Sequence, residues 1–149
     1  MAVIAVAQFE RFFRVAASVD VDKADLKRYR TFVFDKIYDM LIVGVATAKA
    51  NGRDVMEPQD LPITKGLQER VHEFRKIDED LGLGPILDQF AARPQLEASL
   101  GEELDARLAL VAGGLSVALA RSFKTVDPQM TNPSSKDWAR AFRLFDLLL

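Results

Sequence analysis

The sequence predicts an all-α fold made of two three-helix units in tandem, packed on one another within one chain. Three observations carry this expectation. Apolar residues recur at three- and four-residue steps along nearly the whole chain. Alternating runs bounded by turn residues, the mark of strands, are missing. The order short helix, long helix, medium helix occurs twice, on either side of Gly82-Leu83-Gly84-Pro85.

The first helix is expected over 3–17, where Val6, Phe9, Phe12, Phe13 and Ala16 make one apolar face. After a loop, Asp22 suits an N-cap, and Asp25 adds negative charge where the helix dipole favours it. The long second helix then runs over about 23–50. Leu26, Tyr29, Val33 and Ile37 face inward in its first half. Its second half is apolar nearly all round and so needs cover on every side. Asn51-Gly52 supplies a left-handed stop. A third helix starts in the first turn at Pro58 or Pro62 and ends near 81, with Leu67, Val71, Phe74 and Leu81 on one face. A short helix over 86–92, a long one over 101–126 and a last one over about 134–148 repeat the order. Leu104, Leu108, Val111, Leu115, Ala118 and Phe123 face inward on the long helix, and Trp138, Phe142, Phe145 and Leu149 on the last. The units are therefore 3–81 and 86–149 of a single domain, 1–149. Neither unit encloses its own long apolar helix, and packing one on the other covers both.

Composition narrows the function. The chain has no cysteine and one histidine, so thiol chemistry, disulfides and most histidine catalysis are excluded. The N-terminal apolar run lacks a basic leader, and the apolar run 40–46 is too short for a bilayer, so a cytoplasmic protein without membrane contact is expected. If it meets DNA, its place is the nucleoid. Net charge is −2, unlike an abundant DNA-coating protein. Residues 1–75 carry 12 Lys/Arg against 11 Asp/Glu and residues 76–149 carry 8 against 11, so a nucleic-acid surface belongs to the first unit.

Candidate chemistry is sparse. Arg11, Arg14, Lys23, Lys27, Arg28 and Arg30 gather at the start of the first unit, either as a solvated face or as a phosphate-binding strip formed with helix N-termini. Glu69 and His72 have the spacing of one half of a di-iron site, but no second histidine exists to complete it. The acidic groups Asp78-Glu79-Asp80 and Glu102-Glu103-Asp105 read as a solvated helix end and a favourable helix start. No activated nucleophile and no phosphate loop is present, so neither an enzyme nor a cofactor is implied. Gly113-Gly114 in mid-helix points to close approach of two backbones where the long helices cross, with Gly44 opposite.

Two segments carry a family resemblance. Phe9-Glu10-Arg11-Phe12-Phe13-Arg14 resembles the first helix of archaeal histones. The run from Ala48 through Asn51-Gly52-Arg53 to Asp60-Leu61 resembles their second loop, with Arg53 and Asp60 at the positions of an arginine and an aspartate that clamp loop to helix. The whole chain resembles a small bacterial group of histone-fold proteins with both folds in one chain. The resemblance implies two tandem histone folds forming an intramolecular pseudo-dimer. In the second unit Asp137 falls near the clamp aspartate, but Met130 stands where the arginine belongs. Arg11 and Arg14 match DNA-contacting positions of the first helix. Asp20, Asp54 and Val55 replace basic or hydroxyl loop positions, and loop acids repel phosphate. The expectation is a histone-like protein with weak, sequence-independent binding to duplex DNA. The alternative is a histone-fold scaffold that binds another protein and has lost DNA contact.

Overall fold

The computed structural model describes residues 3–149, with side chains from Ala5 onward. Met1 and Ala2, the start of the run weighed above as a leader, lie outside the described residues. Six α-helices are described: α1 (Val3–Ala17), α2 (Lys23–Ala50), α3 (Lys65–Leu81), α4 (Gly84–Phe90), α5 (Glu102–Val126) and α6 (Ser135–Leu148). Two short strands join them, β1 (Val55–Met56) between α2 and α3 and β2 (Ser99–Leu100) between α4 and α5.

Local chemistry explains most boundaries. Ser18 closes α1 in the left-handed region at φ 55°, with its N–H donating to Arg14 O at 2.9 Å. Asp22 and Asp25 cap α2 reciprocally: the Asp25 N–H donates to the Asp22 carboxylate at 2.9 Å, and the Asp22 N–H to the Asp25 carboxylate at 3.1 Å. Neither Pro58 nor Pro62 starts α3. Pro58–Asp60 is an isolated 3-10 turn, and α3 begins only after Thr64, whose hydroxyl accepts from Leu67 N at 3.1 Å. Gly82, at φ 64°, ends α3 as its left-handed cap. Gly84 and Pro85 are not breakers but the first turn of α4, which therefore starts and stops two residues before the expected 86–92.

The helix α5 is the axis of the core. Every residue from Val111 to Val117 is buried. By length and composition α5 could span a bilayer, yet most of its apolar window is covered by neighbouring helices. Helix α3 packs on it most extensively, followed by α4 and α1. Where α2 meets α5, the buried Tyr29 hydroxyl lies 2.6 Å from Ser116 Oγ. Phe9, Phe13 and Phe90 surround the Tyr29 ring at centroid distances of 5.3–6.1 Å. Trp138 of α6 completes the aromatic core against Phe13, Phe123 and Phe142.

Cover is unequal between the two long helices. Whereas α5 is enclosed, α2 leaves Phe34, Tyr38, Ile42 and Val43 exposed, so the expectation that both are covered on every side fails for α2. The glycine pair also sits elsewhere than expected. Gly113 and Gly114 face α3, not α2: a Cβ on Gly113 would overlap the Phe74 ring, and one on Gly114 would lie 2.6 Å from Val71 Cγ2. Gly44 faces the loop after α2, 3.0 Å from Met56 Sδ on the same measure.

Loops tie the two units together at both ends. β1 and β2 pair in parallel, Val55 opposite Ser99 and Met56 opposite Leu100. At the other end the Asp20 N–H donates to Thr131 O at 2.7 Å. In each case a loop of one unit meets a loop of the other. Two-residue strands escape periodicity because alternation needs about four residues to register.

Candidate functional site

The six basic residues of the expected strip, Arg11, Arg14, Lys23, Lys27, Arg28 and Arg30, are all exposed. Two of them are engaged. Arg28 pairs with Asp25 at 3.1 Å, and the Arg30 guanidinium stands 5.3 Å from the Phe90 ring centroid as a cation–π contact. Arg11, Arg14, Lys23 and Lys27 make no ion pair among the described residues. Arg11 and Arg14 are one turn apart on α1, and Lys23 and Lys27 one turn apart on α2, so each pair shares a helix face.

The surroundings limit what these cations can do. The amino end of α2, a ready anion site in principle, is occupied by the carboxylates of its own cap, Asp22 and Asp25. The helix N-terminus expected in the phosphate strip is thus spent internally. Burial pushes the Asp25 carboxyl above its ordinary range, against the lowering effect of its bond from Asp22 N–H. Asp20 is exposed in the same loop. In the loop after α2, Asp54 is bound by Lys49 at 2.6 Å, and that hydrogen bond holds its carboxyl below the usual range. In the second unit, Arg93 is shared by Asp88 at 2.6 Å and Asp105 at 2.8 Å, while the first turn of α5 carries Glu102, Glu103 and Asp105.

Arg53 and Asp60 form a two-pronged pair across the loop, Nη1 to Oδ2 and Nη2 to Oδ1, both at 2.7 Å. Arg53 Nη1 also donates to Val55 O at 3.1 Å, and the Glu57 N–H to Asp60 Oδ2 at 2.8 Å. The Arg53 bond, then the Glu57 bond, hold the nearly buried Asp60 carboxyl down at about 2. The pair rigidifies the segment carrying β1 and leaves Arg53 few free donors. Asp137 does no such work. It is the third residue of α6 and closes that helix's capping box, accepting from Ser134 N at 2.8 Å.

The remaining candidates separate. His72 is exposed, and the described residues hold no group of three or more His, Asp or Glu that could bind a metal ion. Asp78 is a loop anchor, accepting from Leu83 N at 2.5 Å, whereas Glu79 and Asp80 are solvated. A groove of about 560 Å³ lies between α3, α5 and the loop 58–63, rimmed by His72, Arg75 and Arg107, the last paired with Glu103 at 2.7 Å.

Comparison with known proteins places the chain. Residues 9–146 match the family model "Domain of unknown function (DUF1931)". The chain belongs to the DUF1931 family. A crystal structure of a Thermus thermophilus protein, 50% identical, superposes with a TM-score of 0.86 over 97% of both chains. The 1.9 Å crystal structure of protein AQ328 from Aquifex aeolicus, 25% identical, gives 0.85 over 97% of this chain and 95% of that one. A curated relative, an uncharacterized protein of Aquifex aeolicus (strain VF5), is 29% identical over 108 residues, which is 72% of this chain and 63% of the relative. The aligned part thus spans under two thirds of that relative's length.

Two features of this DUF1931 chain escaped the sequence reading. Tyr29 and Ser116 form a polar contact inside the core, and Lys36 is buried between α2 and α6, where it pairs with Asp146 and, at 3.5 Å, with Asp39. Each had a signal. Ser116 is a lone hydroxyl in an apolar helix run, and Lys36 lies on the same face as Val33 and Met40.

Proposed function

We propose that this chain is a histone-like protein, two histone folds joined in one polypeptide, that binds duplex DNA weakly and without sequence preference. The reading of the fold is supported by the repeated helix order, by the loop pairing across units at both ends, and by the Arg53–Asp60 pair at the resembling positions. The observation that carries the DNA reading is that four cations of the expected strip, Arg11, Arg14, Lys23 and Lys27, are exposed and without ion-pair partners among the described residues. Cations of this kind exchange condensed counterions for phosphate contacts, and such binding reads no base. Weakness follows from the small number of free cations in the strip, the carboxylates at the α2 amino end and the acidic start of α5. No chemical step is part of this reading. Fluorescence anisotropy with a labelled duplex of arbitrary sequence, at low and at moderate salt, is the test. Binding at low salt that falls away at moderate salt, equally for unrelated sequences, supports the proposal. No binding even at low salt removes the DNA reading and leaves the scaffold that binds another protein.

A further inference from the structure

We infer that the face formed by α2 and α6 is a two-fold interface that joins two copies of this chain. The two helices lie side by side: Phe32 stacks on Phe142 with ring centroids 5.0 Å apart, and the buried Lys36 pairs with Asp146. Their outer surfaces are apolar without cover. On α2, Phe34, Tyr38 and Ile42 follow at one-turn spacing and are each 39–48% exposed. On α6, Leu144 is 40% exposed, and Leu147 and Leu148 80%. Neither set is a scattered surface residue of the kind that needs no explanation.

These outer surfaces are continuous and complementary. A depression of about 360 Å³ runs between the helices, bordered by Tyr38, Asp35 and Asp39 of α2 and by Asp146 of α6. A second, shallower one of about 470 Å³ is bordered by Arg140, Arg143, Leu144 and Leu147, and again by Asp146. Asp146 borders both, so they form one surface with an acidic half on α2 and a basic half on α6. Asp35, Arg140 and Arg143 have no ion-pair partner among the described residues, and Asp39 is reached only by Lys36. A surface that carries both halves of a complementary pair is self-complementary under a two-fold axis, which brings α6 of each copy against α2 of the other. In that arrangement Leu144 and Leu147 enter the depression beside Tyr38, while Arg140 and Arg143 face Asp35 and Asp39. A foreign partner would have to reproduce this charge pattern, whereas a second copy already carries it. The same contact would cover the face that leaves α2 barer than α5.

The inference does not depend on the DNA reading. It is tested by sedimentation equilibrium of the full chain over a wide concentration range. The expected result is a concentration-dependent dimer. Leu147→Glu is expected to weaken it at least tenfold with an unchanged circular dichroism spectrum. Asp35→Lys and Arg143→Glu are each expected to weaken the dimer, and the two together to restore part of the loss, a result that misfolding does not produce. A monomer at every concentration overturns the inference. So does a dimer that survives all three single substitutions, which would place the contact on another face. Charge reversals without mutual rescue overturn the two-fold arrangement.

Discussion

Asp60 is nearly buried and held at about 2 by Arg53 and by the Glu57 N–H, against 3.8 for an ordinary aspartate. A carboxyl whose pKa is lower in the folded state contributes stability above the unfolded value and loses it as pH falls. Its contribution is therefore complete above about pH 4 and disappears towards about pH 2. Asp60→Asn is expected to lower stability at neutral pH and to flatten the pH dependence within that window, as read by denaturant unfolding at a series of pH values. An unchanged slope would mean that other carboxylates govern acid unfolding. Arg53→Ala and Asp60→Ala are expected to be non-additive, because the second change removes a partner already lost; a double-mutant cycle with zero coupling contradicts the clamp. The Tyr29–Ser116 contact predicts an asymmetry. Ser116 Oγ donates to Ala112 O at 2.7 Å, so the Tyr29 hydroxyl donates to Ser116. Burial pushes the Tyr29 hydroxyl above its ordinary pKa and keeps it neutral. Tyr29→Phe removes one hydrogen bond, about 0.5–1.5 kcal/mol, whereas Ser116→Ala strands a buried hydroxyl, about 1–3 kcal/mol. Equal losses in chemical denaturation would refute this donor assignment.

Among elements, those with long apolar periodicity were legible and those made by side-chain hydrogen bonds were not. The observed α1, α2 and α5 agree with the expected helices within a residue at each end, because each presents several turns of apolar face. The start of α3 was misplaced because a proline at a turn resembles a proline at a helix start. The Arg53–Asp60 pair and the Glu57 N–H hold Pro58–Asp60 as a separate turn, and the Thr64 cap sets the start of α3. Gly113 and Gly114 were legible as a close approach but not as one with α3, since sequence spacing does not name the opposing helix. Gly114→Leu adds about 1 kcal/mol of helix propensity. It also drives a side chain into Val71 and Leu67, and overpacking of this kind costs about 1–3 kcal/mol. The net expectation is a lower denaturation midpoint. A higher midpoint would mean that α3 yields at no cost.

At the scale of the whole molecule, each unit lends a loop to the other at both ends, and α5 of the second unit is packed under α1 and α3 of the first. This interlocking follows from burial: a helix apolar on all sides has no stable surface until the other unit covers it. The basic strip could be located in the sequence, and the Arg28–Asp25 pair is local, three residues apart on α2. The engagement of Arg30 could not be located, because its partner Phe90 reaches it only once α4 is docked. On the proposed function the basic strip of the first unit faces DNA, and its four free cations neutralise at most four phosphates. The slope of log affinity against log salt is then expected to be no steeper than about −4. Reversing the loop acids, Asp20→Arg with Asp54→Lys, is expected to tighten binding and steepen that slope. The most direct test compares duplex binding of the parent with that of Arg11→Glu/Arg14→Glu at low salt, with unfolding midpoints measured alongside. Both arginines are solvent-facing on α1, so the proposal predicts loss of binding with an unchanged midpoint; binding equal to the parent would contradict it.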